Sequence, residues 1–408
     1  MFDIAVVFLV LTAVMAYINK RFVGLPTTIG VMVIALVLSL ILVGLEKLGI
    51  TALHDYEKNL LAEVDFSEVL MQGMLSLLLF AGALHVDLND LKAFKWQVGL
   101  LAFFGTLIST VVVGTLMWLV LPWFGLPLSF LYCLIFGVLI SPTDPIAVMG
   151  ILKSANAPRS VETVIAGESL FNDGVGVVLF VLLTSALASN HMPSVGEGML
   201  LFAEEAGGGV LFGLLLGAVV FYMLKSIDSY QEEVLITLAA VLGGYALASH
   251  LHVSGPLAMV VAGLMIGNHG RALAMSDQTR HHVDLFWELL DEILNAVLFV
   301  LIGLELILIA FSVNIMLASL LAIVITLFAR LLTVGLPTGL FHRQFKVPPQ
   351  AWQVLTWGGL RGGISVALAL SLPAGPERQL ILAFTYAIVV FSILVQGLSI
   401  GKVAKRAC

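Results

Sequence analysis

Residues 167–180 read "GESLFNDGVGVVLF" and place Glu168 and Asp173 in a stretch that is otherwise apolar from Val161 through Leu183. A third acid, Asp144, stands between two prolines in "FGVLISPTDPIAVMGIL". An ionised carboxylate at the centre of a bilayer costs roughly 2.5–3.5 kcal/mol on insertion scales, so intramembrane acids are retained for a task. The oxygens of Asp144, Asp173, Ser169 and the Thr143 carbonyl make a hard donor set, of the kind that hard cations take. Nothing in the chain suits a soft metal. The nine histidines are scattered, and Cys133 and Cys408 form neither a disulfide framework nor a metal-ligand spacing. No cofactor is expected.

Helical geometry divides the work among these acids. At 100° per residue, Ser169 and Asp173 share one stripe, Glu168 and Asn172 another, and Glu168 and Asp173 stand about 140° apart. Asp173 with Ser169 is expected to face the Thr143–Asp144 segment, while Glu168 looks elsewhere. A buried carboxylate needs a cation, and "TLFARLLTV" offers Arg330. Glu168 is therefore paired with Arg330 as a structural ion pair. The rival partner is Arg361, whose place also suits charge compensation of Asp144 or of broken helix ends. Asp291 and Glu292 fit a cation-attracting funnel or a solvated face equally well.

These residues sit in a membrane protein. The chain of 408 residues is 60% hydrophobic and only 11% charged, with a mean hydropathy of +1.09. Soluble domains carry about 25% charged residues. A spanning helix needs about 20 apolar residues. Thirteen such segments are read at 3–19, 26–44, 66–84, 97–121, 129–151, 161–188, 199–224, 231–251, 255–270, 285–309, 313–341, 350–372 and 378–400. They form one transmembrane unit, 1–408, and no cleavable leader is expected. Alternate loops hold fourteen basic residues (Lys20, Arg21, Lys92, Lys95, Lys153, Arg159, Lys225, Arg271, Arg280, Arg343, Lys346, Lys402, Lys405 and Arg406) against three (Lys47, Lys58 and Arg378). The sparse side also carries Glu46, Asp55, Glu57, Glu63 and Asp65. By the positive-inside rule the N-terminus is outside and the C-terminus cytoplasmic. The net charge of −7 is spread over loops and buried sites and points to no nucleic-acid partner.

Two of the thirteen segments are interrupted. Pro142 and Pro145 bracket Thr143 and Asp144 and push Ser141 and Asp144 out of helical geometry. In "LTWGGLRGGISVALALSLP" four glycines surround Arg361, each costing a helix about 1 kcal/mol. Irregular backbone at membrane depth is tolerated only inside protein or beside a wet cavity. Residues 1–190 then form a first repeat, 191–228 a linker helix and 229–408 a second repeat of opposite topology. The breaks fall in the fifth element of each half, the pattern of a secondary transporter with its site at the midplane. The expected fold is thus an all-α polytopic membrane protein, about thirteen transmembrane helices in inverted six-helix repeats with two broken crossing helices.

"SPTDP", "GESLFNDGVGVVLF" and "GGLRGGISVALALSLP" resemble the monovalent cation:proton antiporter family of bacterial NhaP-type and animal sodium/proton exchangers, over essentially the whole chain. The resemblance implies a homodimer with a dimerisation domain and a mobile core domain that moves like an elevator. It implies that Asp173 is the central ion- and proton-binding acid, with Asp144, Ser169 and the Thr143 carbonyl as ligands. Asn172 fills the first place of the family's Asn-Asp pair, the form associated with electroneutral exchange, and Glu168 with Arg330 matches the family's ion pair. One departure is Ala81 in "LLLFAGALHVDL", where relatives often place an acid.

The expected activity is antiport of Na⁺, with Li⁺ or K⁺ as open alternatives, against H⁺ across a bacterial inner membrane. A carboxylate that takes either a proton or a cation couples the two, because an empty charged site is costly to move through a low-dielectric barrier. An intramembrane aspartyl protease using Asp144 and Asp173 as a dyad, or a cation channel, are the rival readings. The first lacks the expected flanking residues and gives the break at Arg361 nothing to do.

Overall fold

A computed structural model describes residues 2–47, 73–155, 157–189, 194–305 and 312–407. Among these residues every regular element is helical, and no strand occurs. The start of the third expected span and the loop residues Asp55, Glu57, Lys58, Glu63 and Asp65 lie outside the described residues.

The helices, in chain order, are α1 (Phe2–Ile18), α2 (Thr27–Lys47), α3 (Leu75–Leu84), α4 (Leu88–Ala93) and α5 (Lys95–Phe124). The first broken passage follows as α6 (Phe130–Ile140) and α7 (Ile146–Ser154). Next come α8 (Arg159–Ser189), α9 (Val195–Lys225), α10 (Tyr230–His250), α11 (Gly255–Met265), α12 (Asp277–Glu305) and α13 (Val313–Leu340). The second broken passage is α14 (Ala351–Trp357) and α15 (Gly363–Leu370), and α16 (Pro376–Ala407) ends the series.

Among the described residues, eight helices are long and apolar enough to cross a membrane, and α3 and α6 are shorter apolar helices. The thirteen crossings expected from hydropathy are therefore not reproduced as thirteen uninterrupted apolar helices. Two expected spans are split into half-helices, each too short to reach across. Another, α12, carries Asp277, Arg280, Asp284, Glu288, Asp291 and Glu292 before residue 293.

Polar residues close these helices in the usual way. Asp87 accepts from the amides of Asn89 and Asp90 to start α4, and Ser194 with Glu197 forms a capping box on α9. Several π turns interrupt the long helices, and two of them matter for the site: Leu331–Gly335, directly after Arg330, and Ser392–Gly397 within α16. Such turns carry one extra residue and re-aim the side chains around them.

With lipid as apolar as the helices, close packing rather than a hydrophobic force holds the bundle together, and small residues permit it. A stripe of Gly209, Gly213 and Gly217 on α9 lies against α11. A Cβ on Gly213 would stand 2.6 Å from the Ala258 carbonyl, and one on Gly209 2.6 Å from that of Ser254. Gly137 of α6 rests on the Thr110 backbone of α5, Gly263 on α3 and Gly303 of α12 on α2. Side chains of α3, α6, α11 and α15 fill the largest apolar core, where Phe80 packs against Trp287.

This packing makes a controlled prediction. Gly213→Ile is expected to lower the melting temperature of the purified protein, because overpacking a close crossing costs about 1–3 kcal/mol. Gly207→Ile, on the same helix with nothing within 4 Å of a new Cβ, is expected to melt like the parent. Equal melting temperatures for the two variants would show that the α9–α11 crossing is not limited by backbone approach.

Candidate functional site

The prolines and glycines end four half-helices inside the bundle, and the last carbonyls and first amides of those helices have no intrahelical partner. At the first break, Arg361 donates through Nη1 to the Ser141 carbonyl and, at 2.8 Å, to that of Pro142. The Thr143 amide donates to Asn172 Oδ1 at 3.3 Å. At the second break, Arg330 Nη2 donates to the Leu355 carbonyl at 3.0 Å, and Gln396 Nε2 to that of Trp357 at 3.0 Å. The Arg361 amide donates to Ser392 Oγ at 3.0 Å. Between the breaks, the Asp144 amide donates to the Leu360 carbonyl at 2.8 Å, so the two interrupted passages are bonded backbone to backbone.

Glycine allows that contact. A Cβ on Gly362 would run into the Asp144 carboxylate, and one on Gly359 into the Arg330 guanidinium. The Asp144 carboxylate thus lies against the start of α15, where backbone amides and the helix dipole favour negative charge.

Glu168 and Arg330 meet as a two-pronged pair: Nη1 bonds Oε1, and Nη2 bonds Oε2 at 3.0 Å. Both are buried, with Glu168 1% exposed. The alternative partner, Arg361, is turned to the carbonyls of the first break instead. Asp173 is buried on the other side of α8, in the electrostatic neighbourhood of both Asp144 and Arg361. Among the described residues no hydrogen bond holds its carboxylate.

Three hydroxyl and amide groups stand beside the acids. Thr143 Oγ1 lies 2.9 Å from Ser169 Oγ and accepts from Asn172 Nδ2 at 2.9 Å. Asn172, on the stripe it shares with Glu168, thus also reaches the break. Residues 169 and 172 are three apart and therefore neighbours on a helix, so both reach Thr143. Both ends of the Asn172 amide are occupied by Thr143, which makes it a clamp on the interrupted backbone.

Several polar residues here went unnoticed in the sequence. Ser392 and Gln396 are four apart on α16, and Ser392 Oγ donates to Gln396 Oε1 at 2.7 Å. Ser109 of α5 accepts from Ser141 at 2.9 Å. Isolated serines and glutamines in apolar helices were the available signal. Asp291 and Glu292, left undecided by the sequence, differ: Glu292 is exposed. Asp291 is half-buried, accepts from Asn295 Nδ2 at 3.1 Å and lies in the electrostatic neighbourhood of Asp144. Ala81 is buried, and its carbonyl lies 2.8 Å from His85 Nδ1.

Residues 9–406 match the family described as "Sodium/hydrogen exchanger, transmembrane". The chain is 56% identical to the Na⁺/H⁺ antiporter NhaP of Pseudomonas aeruginosa, covering 100% of this chain and 97% of that protein. It is 36% identical to the Na⁺/H⁺ antiporter NhaH of Halobacillus dabanensis, covering 90% of this chain and 91% of that one. The solved structure of the sodium proton antiporter MjNhaP1 from Methanocaldococcus jannaschii at pH 8 has the same fold, with a TM-score of 0.78 at 19% identity. That match covers 98% of this chain and 97% of the other. With a family match over nearly its full length and a relative this similar, the chain belongs to the transmembrane sodium/hydrogen exchanger family.

Proposed function

We propose that this protein is a secondary active antiporter that exchanges Na⁺ for H⁺ across the membrane, one for one. The observation that carries the proposal is the pair Asp144 and Asp173 at the crossing of two interrupted helices, in a chain of the sodium/hydrogen exchanger family. Asp173 takes either the proton or the cation. Asp144, Ser169 and the Thr143 carbonyl complete the cation's oxygen shell. Asn172 holds the interrupted backbone in place, and Arg361 balances the carboxylates while binding the broken end of α6. Glu168 and Arg330 are scaffold. The relatives matched are antiporters, and no part of the site calls for enzymatic chemistry.

The wider architecture follows from the same reading. Residues 1–190 and 229–408 are the two repeats of opposite topology, joined by a linker helix within 191–228. Their broken elements supply Asp144 and Arg361 respectively. The protein works as a homodimer in the bacterial inner membrane, with its N-terminus outside and its C-terminus in the cytoplasm. A core domain carries the loaded site across against a fixed dimerisation domain. Movement is restricted to the neutralised site, because a bare carboxylate is costly to carry through a low-dielectric barrier.

Three outcomes follow. Glu168→Gln leaves Arg330 charged and unpaired, an effect on the order of 3–5 kcal/mol for a buried pair. The variant is expected to melt early, and replacing both charges is expected to restore much of the stability. An unchanged melting temperature in Glu168→Gln would remove the scaffold role.

Asp173→Asn and Asp144→Asn are each expected to abolish exchange in proteoliposomes while the protein remains folded, since each removes a formal charge from the cation's shell. Substantial sodium-dependent proton flux in Asp173→Asn would overturn the assignment.

Coupling is testable through pH and voltage. With one acid discharging per cycle, the apparent KM for sodium is expected to rise about tenfold per pH unit below the pKa of Asp173, as for simple competition at a titrating acid. With the membrane potential clamped by valinomycin and K⁺, exchange is expected to be independent of the imposed voltage. A steady transport current would instead favour two protons per cation.

A further inference from the structure

Away from the crossing, one carboxylate in the described residues is buried without a partner. Glu233, in the first turn of α10, is 0% exposed, and neither of its oxygens makes a hydrogen bond. The neighbouring donors are the Thr279 hydroxyl and the Ser229 backbone. Thr279 Oγ1 is directed at the Ser276 carbonyl instead, at 3.3 Å. A second carboxylate, Asp228, acts on Glu233 from the turn between α9 and α10. Asp228 accepts from Ser276 Oγ at 2.8 Å, and Ser276 Oγ lies 3.3 Å from Thr279 Oγ1. Asp228 and Ser276 are exposed and Thr279 is buried, so the oxygen cluster runs from the surface to the buried Glu233.

Helix ends alone do not balance this charge. The N-termini of α10 and α12 meet here, and each supplies about half a positive charge. Against them stand Asp228, Glu232, Glu233 and Asp277, four acids. Among the described residues no ion pair engages Asp228 or Glu233. The basic side chains nearest in sequence, Lys225 and Arg280, are exposed. A buried ionised group without a partner is costly, and two carboxylates with two hydroxyls form a donor set that a hard divalent cation accepts, with water completing its shell. We infer that Glu233, Asp228, Ser276 and Thr279 form a divalent-cation site that ties the α9–α10 turn to the start of α12. It is independent of the exchange site and of the transport reading.

A reporter is built in. Trp287 is fully buried and donates from Nε1 to Thr237 Oγ1 at 3.1 Å. Thr237 is one turn, about 6 Å, along α10 from Glu233. Tb³⁺, a hard oxygen-seeking ion, is added to the purified full chain in detergent with tryptophan excitation. Saturable sensitised emission displaced by Ca²⁺ is expected, together with a Ca²⁺-dependent rise in melting temperature. Trp287→Phe is expected to lose most of the emission and keep the Ca²⁺-dependent rise. Glu233→Gln and Asp228→Asn are each expected to weaken Tb³⁺ binding about tenfold or more, as when one formal charge leaves a ligand shell. Asp228 is exposed, so its variant reads binding even if Glu233→Gln fails to fold. Unchanged affinity in Asp228→Asn, or no saturable emission and no Ca²⁺-dependent stabilisation in the parent, would overturn the site.

Discussion

A helix that stops inside a bilayer exposes carbonyls and amides that neither lipid nor its own next turn can satisfy. Two passages stop in this way here, and eight backbone groups at the breaks find partners outside their own half-helix: the carbonyls of Ser141, Pro142, Leu355, Trp357 and Leu360, and the amides of Thr143, Asp144 and Arg361. Left open, each would cost about 1–3 kcal/mol, a sum comparable with the roughly 5–15 kcal/mol that holds a typical protein folded. Much of the site's polar chemistry is therefore structural before it is functional. Arg361 and Arg330 each bind the terminal carbonyls of a broken passage, Arg361 from the opposite break and Arg330 from α13.

The same constraint divides the charges. Glu168 is committed on both oxygens to Arg330, and Arg330 in turn to Leu355. That chain of bonds ties the Glu168 carboxylate to α13 and, through Arg330, to the end of α14. Asp173, five residues on, faces the break with no hydrogen bond to its carboxylate among the described residues. Among the described residues one helix thus carries an ion-paired carboxylate and one without a hydrogen bond, separated by rotation about its axis. Asn172 between them ties Thr143 by backbone and hydroxyl, which fixes where the Thr143 carbonyl and the Asp144 carboxylate stand.

Close backbone contact is what lets these groups meet. Any side chain at Gly362 would displace the Asp144 carboxylate, and any at Gly359 would displace Arg330. Further out, the glycines of α9 and the contacts of Gly137, Gly263 and Gly303 bring whole helices within backbone reach. The π turns after Arg330 and around Ser392 complete the arrangement by re-aiming side chains that a regular helix would point elsewhere. Exposed aliphatic residues along α9 and α13, such as Leu211, Leu215, Leu320 and Val324, suit a lipid-facing surface.

Hydropathy, the prolines around Asp144 and the glycines around Arg361 were enough to read a helical membrane protein with two interrupted passages, since these effects are local and act through the backbone. The motifs around them were enough to suggest the exchanger family. The choice of Arg330 over Arg361 as the partner of Glu168 could be proposed from the chain but not decided, because both arginines fall within apolar segments and only helix packing sets which guanidinium arrives. The grip of Asn172 on the interrupted backbone was not evident from its stripe, because a two-stripe division leaves out that residues three apart also share a face. Ser392 and Gln396 were visible only as polar residues in an apolar helix, and Leu360 not at all: their part depends on which carbonyl or amide the other break presents. Composition determined that the chain lives in lipid and roughly where its helices break. Tertiary structure alone decided which donor meets which orphaned acceptor, because that depends on helices brought together from positions as far as 220 residues apart.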